Sequence, residues 1–354
     1  MFIGICGSIC AGKRTIASYL ADHHGFTHLY LQSPPPSDSS SSCQDDTLPS
    51  SADSSALIAS SSSSPPSTPP EHTFSCPEAL LDYVTRSWRS RFVTTDIPNS
   101  EVLSLYSRRP FFLLISVDAP ILVRFKRYRA LHAHAEASLE SFLALSDGDL
   151  YSPGPQNLMT LISSAAIRLL NTSSSLAHLY ATLGTLDLLN PDRLRPSWDA
   201  YFMALASLAA QRSNCMKRRV GCVVVRDKRV ISTGYNGTPR GLQNCGEGGC
   251  GRCNTGEGSG HGLATCLCIH AEENALLEAG RERVGGRAVL YCDTCPCLTC
   301  SIKIVQVGIE EVVYSQGYSM DGETAGVFMA AGVKLRQFVP PANGLIHLEK
   351  LDLK

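Results

Sequence analysis

The stretch that decides the fold is His270-Ala-Glu-Glu-Asn-Ala-Leu-Leu277, read together with Pro296-Cys297-Leu-Thr-Cys300. Each begins just after an irregular segment, and the residues that follow have the apolar spacing of a helix. One imidazole and two thiolates are a complete set of protein ligands for a zinc ion that keeps its fourth position open. A helix N-terminus favours the thiolate, which is the form that binds metal. The sequence therefore predicts that His270, Cys297 and Cys300 hold a zinc ion at the start of two helices.

Glu272 follows the predicted ligand His270 by two residues. Such a carboxylate can move protons beside a metal without binding it, while the metal acidifies a coordinated water toward neutral pH. A C-x-x-C pair alone is equally typical of a structural zinc or a redox site. A structural site would need a fourth ligand, however, and a redox site would not need the His-x-Glu. The order H-x-E and then P-C-x-x-C is the pattern of zinc deaminases that act on nucleobases, so we expect a hydrolytic enzyme with Glu272 as its proton shuttle.

Cysteine is the informative part of the composition. The chain has 354 residues and 15 cysteines, of which eleven lie between Cys215 and Cys300. A secreted disulfide scaffold would be shorter and evenly cross-linked, so this clustering favours metal binding. The formal net charge of -1 argues against an overall basic nucleic-acid binder. No apolar run is long enough for a membrane span and the N-terminus has no secretory pattern, so we expect a cytosolic protein, with the nucleus as a second location.

Two domains and a tail are predicted from shifts in composition. Residues 1–190 begin with an apolar strand, a Gly-bounded loop and a helix, and within them residues 33–73 are rich in Ser and Pro and are expected to form a disordered insertion. A helix is predicted over 158–170. The second domain is expected at 197–340, where a hairpin followed by alternating helices and strands predicts an α/β sandwich with a mixed sheet. Residues 341–354 are expected to form a C-terminal tail.

The second domain resembles the deoxycytidylate (dCMP) deaminases, of the fungal type. Besides the two stretches quoted above, Val307-Gly-Ile-Glu-Glu-Val-Val-Tyr314 and Gly234-Tyr-Asn-Gly-Thr-Pro-Arg-Gly241 carry the likeness, which covers about residues 197–340. The H-x-E and P-C-x-x-C elements are common to the cytidine-deaminase superfamily, whereas the Gly234–Gly241 stretch is typical of this branch. The resemblance implies a cytidine-deaminase-like three-layer α/β/α sandwich. It also implies hydrolysis of dCMP to dUMP and ammonia, which supplies dUMP for thymidylate synthesis.

The resemblance further implies regulation, assembly and nucleotide contacts. Members of the family are commonly homo-oligomers, often hexamers, that dCTP activates and dTTP inhibits, and these triphosphates would bring Mg²⁺ with them. Neither a membrane nor a nucleic acid is an expected partner. Asn236 is expected to contact the deoxyribose beside Ala271, and Arg281, predicted on the helix of the H-x-E motif, is the first candidate for the substrate phosphate. Further candidates for phosphate or effector contacts are Lys217, Arg218, Arg219, Tyr235, Gly237 and Arg240. For the first three, the alternative is a solvated turn without such a contact.

Some members of the family hold a second, structural zinc ion, and the remaining cysteines fit one. The resemblance assigns to it Cys215, Cys245 and Cys268, with the fourth ligand left open between Cys250, Cys253 and His261. Three other cysteines lie in or beside predicted strands and are expected to be free buried thiols, namely Cys222, Cys292 and Cys295.

The first domain carries a phosphate-binding pattern in Gly7-Ser-Ile-Cys-Ala-Gly12-Lys13-Arg14-Thr15, which follows a strand and opens a helix. The pattern resembles the loop of small P-loop kinases of the nucleotide or dephospho-coenzyme A type. This resemblance implies phosphate contacts from Gly7, Gly12, Lys13 and Thr15. Arg14 stands where a Ser or Thr would bind Mg²⁺, so we expect a degenerate, regulatory domain rather than a working kinase.

Other functions remain open on the sequence alone. A deaminase of nucleic acid, such as a tRNA adenosine or cytidine editor, shares both motifs but would need a basic face. A bifunctional protein would add nucleotide kinase activity from the first domain. A non-catalytic scaffold with structural zinc would not need Glu272, and its presence disfavours that reading.

Overall fold

The computed structural model describes residues 1–32, 72–132, 138–154, 157–173, 175–256, 262, 265–317, 321–341 and 343–348. Most of the segment expected to be a disordered insertion therefore lies outside the described residues. Its last residue, Thr73, opens a short strand. The chain divides into two compact units, one of residues 1–195 with 342–354 and the other of residues 196–341. Among the described residues, no helix combines the length and apolar character needed to cross a membrane.

The strands and helices alternate along most of the chain. The strands are β1 Phe2–Gly7, β2 Thr27–Leu31, β3 Thr73–Phe74, β4 Phe92–Thr94, β5 Phe112–Asp118, β6 Ile167–Leu170, β7 Gly221–Arg226, β8 Arg229–Tyr235, β9 Ala288–Thr294, β10 Ile309–Gln316, β11 Lys334–Gln337 and β12 Gly344–His347. The helices are α1 Lys13–His24, α2 Pro77–Arg86, α3 Ser100–Ser107, α4 Ile121–Leu131, α5 Leu139–Tyr151, α6 Leu158–Ser164, α7 Leu176–Thr185, α8 Trp198–Ala210, α9 Gly251–Asn254, α10 Ala271–Ala279, α11 Arg281–Val284, α12 Leu298–Val307 and α13 Asp321–Ala330.

The first unit is built on a seven-stranded sheet in the order β12-β6-β5-β1-β4-β2-β3, in which every pairing is parallel. Parallel sheets need apolar cover on both faces. Helices α1 and α7 pack on one face through Ile16 and Leu179, and helices α2, α3 and α6 pack on the other through residues such as Tyr106. The result is an α/β unit with β1 near its centre and the loop after β1 at the carboxyl ends of the strands.

Two expectations about this unit need correction. The segment 158–170, expected to be one helix, is helical only to Ser164 and then forms β6, because Ile167 and Leu169 are buried between β5 and β12. The C-terminal residues 344–347, expected to lie in a tail, form β12 at the edge of the same sheet. In both places, pairing between distant segments overrides the local sequence preference.

The second unit is a mixed five-stranded sheet in the order β11-β10-β9-β7-β8. Strand β7 pairs antiparallel with β8 and β9, whereas β9, β10 and β11 pair in parallel. Because side chains alternate along a strand, Cys222 and Val224 face the layer of α10, α12 and α13, and Val223 and Val225 face α8. The expected three-layer α/β/α sandwich with a mixed sheet is confirmed.

Two glycines let helices approach this sheet closely. A Cβ atom at Gly234 on β8 would lie 2.1 Å from the carbonyl oxygen of Ala271, the first residue of α10. A Cβ atom at Gly221 on β7 would lie 1.9 Å from the carbonyl oxygen of Ala206 on α8. The absence of a side chain at Gly234 therefore seats the N-terminus of α10, and with it the H-x-E motif, directly on the sheet.

Candidate active site

The three predicted metal ligands converge at the N-termini of two helices. His270 is the N-cap residue of α10 and Cys297 is the N-cap residue of α12, and both have extended backbone angles. Cys300 lies one turn into α12 and is buried. The Nδ1 atom of His270 lies 3.3 Å from the Sγ atom of Cys297 and 3.4 Å from that of Cys300. The N-terminal ends of both helix dipoles thus favour negative charge on the thiolates.

This donor set fits zinc. The ligand atoms of His270, Cys297 and Cys300 all lie within 4.8 Å of one another. A tetrahedral site with Zn–N of about 2.0 Å and Zn–S of about 2.3 Å places nitrogen and sulfur about 3.5 Å apart, close to the observed separations. Hydrogen bonding with Cys300 and His270 lowers the pKa of Cys297 to about 3, which favours the thiolate form that binds metal. The same contact with Cys297 raises the pKa of His270 to about 8.

Glu272 lies in the first turn of α10 and its side chain is buried, with 4% of the residue exposed. Burial raises the pKa of this carboxyl to about 7, against the opposing charge of His270. A carboxyl group with a pKa near neutrality can both accept and donate a proton at physiological pH. The structure therefore brings the three predicted metal ligands together, with the predicted proton carrier Glu272 on the first turn of the helix that His270 begins.

Contacts outside the ligand set hold the two helices in place. Lys303 of α12 forms an ion pair of 2.7 Å with Glu273 of α10. The hydroxyl of Thr324 on α13 is buried and donates to the carbonyl of Pro296 at 3.0 Å, which fixes the chain just before Cys297. The sequence patterns gave no sign of these positioning contacts, because they join residues far apart in the chain.

Asn236 lies immediately after β8, beside the loop that leads to His270. Its side-chain carbonyl accepts hydrogen bonds from Ser213 and from the Val220 N–H, and its amide donates to the carbonyl of Arg218 at 2.7 Å. These contacts fix the orientation of the amide. An Asn amide carries two N–H donors, so one more hydrogen bond can be donated to a ligand.

The loop of Asn236 is tied directly to the metal site. Gly237 exchanges two backbone hydrogen bonds with Ile269, the residue before His270. The amide of Asn274 on α10 donates to the carbonyl of Tyr235 at 2.8 Å. Ala271, the first residue of α10, is buried, and its N–H is one of those at the helix start that have no partner within the helix. The structure therefore brings Tyr235, Gly237 and Ala271 together near His270.

The basic candidates lie on the surface of the second unit. Lys217, Arg218 and Arg219 are exposed, and Arg218 donates to the side chain of Gln316 at 3.1 Å. Arg240 is also exposed. These side chains are accessible to phosphate groups.

The expectation for Arg281 is wrong in its placement. Helix α10 ends at Ala279, Gly280 adopts φ of 69°, and Arg281 begins the separate helix α11 as an exposed residue. At a rise of about 1.5 Å per residue, the length of α10 separates Arg281 from the N-terminus that carries Glu272. Arg281 therefore lies at the opposite end of α10 from the predicted metal ligands, which argues against a contact with the substrate phosphate in its own chain.

A second group of thiols lies apart from the catalytic candidates. Cys215, Cys245 and Cys268 come together as expected, and Cys253 completes a set of four whose sulfur atoms lie within 4.8 Å of one another. Cys250 belongs instead to an overlapping set, and His261 lies outside the described residues. Cys266 joins that overlapping set although the resemblance did not assign it, and the signal for it was the C-x-C spacing with Cys268. The expected burial of the thiols in or beside strands is confirmed for Cys222, Cys292 and Cys295.

In the first unit, the loop after β1 has the predicted strand–loop–helix context. Gly7 and Gly12 have φ of 144° and 102°, and Gly12 is the N-cap residue of α1. The ammonium group of Lys13 donates to the carbonyls of Gly7 and Ser8 at 2.9 and 3.1 Å. Thr15 is buried. Two carbonyls of the loop therefore accept hydrogen bonds from the loop's own lysine.

Comparisons with known proteins match the region that contains the candidate metal ligands. Residues 196–316 match the family model of the cytidine and deoxycytidylate deaminase zinc-binding region. The deoxycytidylate deaminase of Schizosaccharomyces pombe is 48% identical over 344 residues, which cover 97% of this chain and 99% of that protein. That of Saccharomyces cerevisiae is 49% identical over 271 residues, or 74% of this chain and 86% of that protein. That of Mycobacterium phage D29 is 47% identical over 125 residues, or 34% of this chain and 95% of that protein.

The relative from S. pombe aligns along nearly the whole of both chains, so the likeness includes the first unit as well as the zinc-binding region. The predicted zinc ligands and Glu272 all lie within the residues that match the family model. From its sequence, its metal centre and these relatives, the chain belongs to the deoxycytidylate deaminase family of zinc-dependent enzymes.

Proposed function

We propose that this protein hydrolyses dCMP to dUMP and ammonia. The observation that carries the proposal is the buried Glu272 beside the converging ligand atoms of His270, Cys297 and Cys300, in a chain whose relatives along most of its length are named deoxycytidylate deaminases. A buried carboxyl that is not a metal ligand is the feature that separates a hydrolytic zinc site from a purely structural one.

His270, Cys297 and Cys300 would hold the zinc ion, leaving one coordination position open. Zinc bound there lowers the pKa of a coordinated water and so supplies a nucleophile at neutral pH. In the proposed reaction, a bond forms between the water oxygen and C4 of the cytosine ring, and the bond from C4 to the exocyclic nitrogen breaks.

Glu272 moves the protons that this exchange requires. It accepts one proton from the attacking water and delivers it to ring N3. It then accepts the second proton from the same oxygen, now bound to C4, and delivers it to the amino group, which leaves as ammonia as the C4 carbonyl forms. Its burial suits this role because it brings the carboxyl pKa to about 7, close to the working pH. Asn236 would donate its remaining amide hydrogen to the deoxyribose, with the start of α10 at Ala271 lining the same site.

A substrate panel tests the proposal. The purified full chain is incubated separately with dCMP, dCTP, cytidine and a tRNA, and the products are separated by chromatography while ammonia is quantified. We expect dUMP and equimolar ammonia from dCMP, with slower turnover of the other substrates. Inosine or uridine formed in the tRNA, with dCMP left intact, would instead identify a nucleic-acid deaminase.

We also propose that Cys215, Cys245, Cys253 and Cys268 hold a structural zinc ion. Their mutual separations support this, as does the position of the set between the end of α8 and the start of α10. Such a closed site would stabilise the irregular segment between β8 and α10, which contributes few apolar side chains of its own.

Regulation by dCTP and dTTP, each with Mg²⁺, is part of the proposal. The exposed cations Lys217, Arg218, Arg219 and Arg240 flank the Asn236 loop and would attract triphosphates. Turnover measured against dCMP concentration, with and without each nucleotide, tests this directly. Activation by dCTP and inhibition by dTTP are expected.

A homo-oligomer, expected to be a hexamer, is supported by exposed apolar side chains on the helical layer of the second unit. Leu277 of α10, Ile302 of α12 and Met329 of α13 are 70%, 56% and 81% exposed. A second copy of the chain would cover such side chains. Light scattering coupled to gel filtration would give the number of copies.

For the first unit we propose a degenerate P-loop domain that does not transfer phosphate. Arg14 replaces the hydroxyl residue that would bind Mg²⁺, and its positive charge acts on the nearby Asp96 and His28. Incubation with ATP and nucleoside monophosphates, followed by separation of the products, should show no phosphoryl transfer. Transfer that Lys13→Ala abolishes would instead establish a bifunctional enzyme.

A further inference from the structure

Six cysteines of the second unit form two overlapping sets of four. One set contains Cys215, Cys245, Cys253 and Cys268, and the other contains Cys250, Cys253, Cys266 and Cys268. Within each set, every sulfur lies within 4.8 Å of every other. Cys253 and Cys268 therefore belong to both sets, and each remaining thiol belongs to one.

The sulfur–sulfur separations are those expected around a tetrahedral metal. In the first set, Cys215 and Cys253 are 3.7 Å apart, and the shared pair Cys253 and Cys268 is 3.9 Å apart. In the second set, Cys266 lies 3.9 Å from Cys250 and 3.8 Å from Cys253. Four thiolates around zinc, with Zn–S of about 2.3 Å, are about 3.8 Å apart, whereas the sulfurs of a disulfide are about 2.05 Å apart.

We propose that these six thiolates bind two zinc ions in one binuclear cluster, with Cys253 and Cys268 bridging the two metals. Cys215 and Cys245 would be the terminal ligands of the first zinc, which is the structural ion proposed above. Cys250 and Cys266 would be the terminal ligands of the second. The inference rests on that structural site and adds a further metal to it.

The second metal adds no net charge to the cluster. Two Zn²⁺ ions and six thiolates carry a net charge of −2, which equals the charge of one zinc with four thiolates. Donors on both sides of the cluster would offset this charge. The N–H groups of Met216 and Leu267 donate to Cys245 and Cys250 at 3.4 Å each. The guanidinium of Arg252 lies 3.6 Å from Cys266, on the side where the second zinc would lie.

The packing of the segment between β8 and α10 also supports metal binding. The buried core of this region consists of the cysteines themselves, with Cys245 and Cys250 fully buried and Cys253 and Cys268 nearly so. The chain between Cys245 and Cys250 turns through Gly248 at φ of 94°, which makes the approach of the two thiols possible but adds no apolar surface. Metal coordination supplies the stabilisation that apolar packing does not provide here.

Metal counting on the full chain tests the proposal. The protein is purified in reducing buffer without chelators, and zinc per chain is determined by elemental analysis and native mass spectrometry. We expect three zinc ions per chain, one for each of the donor groups. X-ray absorption at the zinc edge should also show a zinc–zinc scattering path, which arises only when two metals share ligands.

Substitutions at terminal and bridging positions should differ in a way that two separate sites could not reproduce. Cys266→Ser removes one terminal ligand and should reduce the count by one, whereas Cys253→Ser removes a ligand of both metals and should reduce it by two. Cys76→Ser is the matched control, because Cys76 is the N-cap residue of α2 in the first unit, where serine is well tolerated. It should leave the count unchanged.

Two zinc ions per wild-type chain would overturn the proposal. This holds whether Cys250 and Cys266 are then found as reactive free thiols in the native protein or oxidised to a disulfide. Absence of the zinc–zinc path would also overturn it, and this readout does not depend on whether any variant folds. Formation of dUMP by the same wild-type sample tests the proposed reaction separately, so the two failures can be told apart.

Discussion

The Sγ atom of Cys297 lies 3.3 Å from Nδ1 of His270, and each of these residues is the N-cap of its helix. The predicted metal ligands are therefore positioned by two helix starts. Gly234 allows one helix to sit on the sheet, and the bond from Thr324 to Pro296 fixes the approach to the other. The ligands are thus held close to the geometry that a zinc ion requires before it binds.

Asn236 is expected to be sensitive to loss of its amide. Asn236→Asp keeps the acceptor for Val220 but places an oxygen opposite the carbonyl of Arg218, where the amide now donates at 2.7 Å. A buried donor replaced by an acceptor costs about 1–3 kcal/mol. We expect a lower melting temperature and a rise in KM for dCMP larger than the fall in kcat.

The matched control for this change is Asn99→Asp in the first unit. Asn99 is the N-cap of α3 and accepts from the Val102 N–H at 2.9 Å, a role that aspartate fills equally well. It should leave both KM and melting temperature unchanged. A similar loss of stability in both variants, with KM unaffected, would reject a role for Asn236 in the substrate site.

Arg281→Ala should have little effect on dCMP turnover. The residue is exposed and lies beyond the end of α10, at the opposite end from Glu272. Steady-state kinetics should give KM and kcat close to those of the unsubstituted enzyme. An increase in KM of tenfold or more, about 1.4 kcal/mol, would restore Arg281 as a phosphate ligand, supplied in that case by another copy of the chain.

The predicted metal ligands and Arg281 show how much of the site the sequence could predict. The predicted metal ligands and Glu272 are local to two short motifs, and each motif specifies its own helix start, so their placement followed from spacing alone. The position of Arg281 depended on where α10 ends, and the left-handed φ of Gly280 ends it earlier than the apolar pattern indicates.

The pairing of distant strands was the part of the fold that local sequence patterns could not predict. Strands β6 and β12 exist because Ile167–Leu170 and Gly344–His347 pair with each other and, through β6, with β5. Neither segment has a strong strand pattern by itself. The sharing of Cys253 between two sets of thiols is likewise a property of three dimensions, since the spacing of the cysteines allowed several quartets.

The stability of the second unit should decrease in acid through Asp199. Burial raises the pKa of this carboxyl, but hydrogen bonds from Arg336 and Tyr291 outweigh burial and lower it below its ordinary value of 3.8. Arg336 donates to both carboxylate oxygens, at 2.8 and 3.1 Å. A depressed carboxyl pKa contributes stability that is present above the unfolded value and is lost as the pH falls through the folded value.

Asp199→Asn should therefore be destabilised at pH 7, by about 1–3 kcal/mol for loss of a charged hydrogen-bond acceptor. The difference from the wild type should shrink as the pH falls below about 4. Thermal unfolding followed between pH 7 and pH 3 measures both effects. A difference that is constant across this range would show that Asp199 does not titrate with folding.

Residues 196–341 alone should deaminate dCMP. This unit has its own apolar core and contains every proposed ligand, and the relative from phage D29 is matched along 95% of its length by 34% of this chain. The fragment must end at residue 341, because the following residues include β12 of the other unit. A folded, zinc-loaded fragment without turnover would show that the first unit is needed for catalysis.

The most direct test of the proposed mechanism compares kcat for dCMP in the wild type, Glu272→Gln and Glu273→Gln at equal zinc content. Glu272→Gln keeps all three ligands but cannot carry protons, so kcat should fall by roughly 10²–10⁴-fold or more. Glu273 is the neighbouring carboxylate, paired with Lys303 at 2.7 Å, and its substitution should leave most of the turnover. A zinc-loaded Glu272→Gln protein with a kcat close to the wild type would contradict the assignment of Glu272 and, with it, the proposed mechanism.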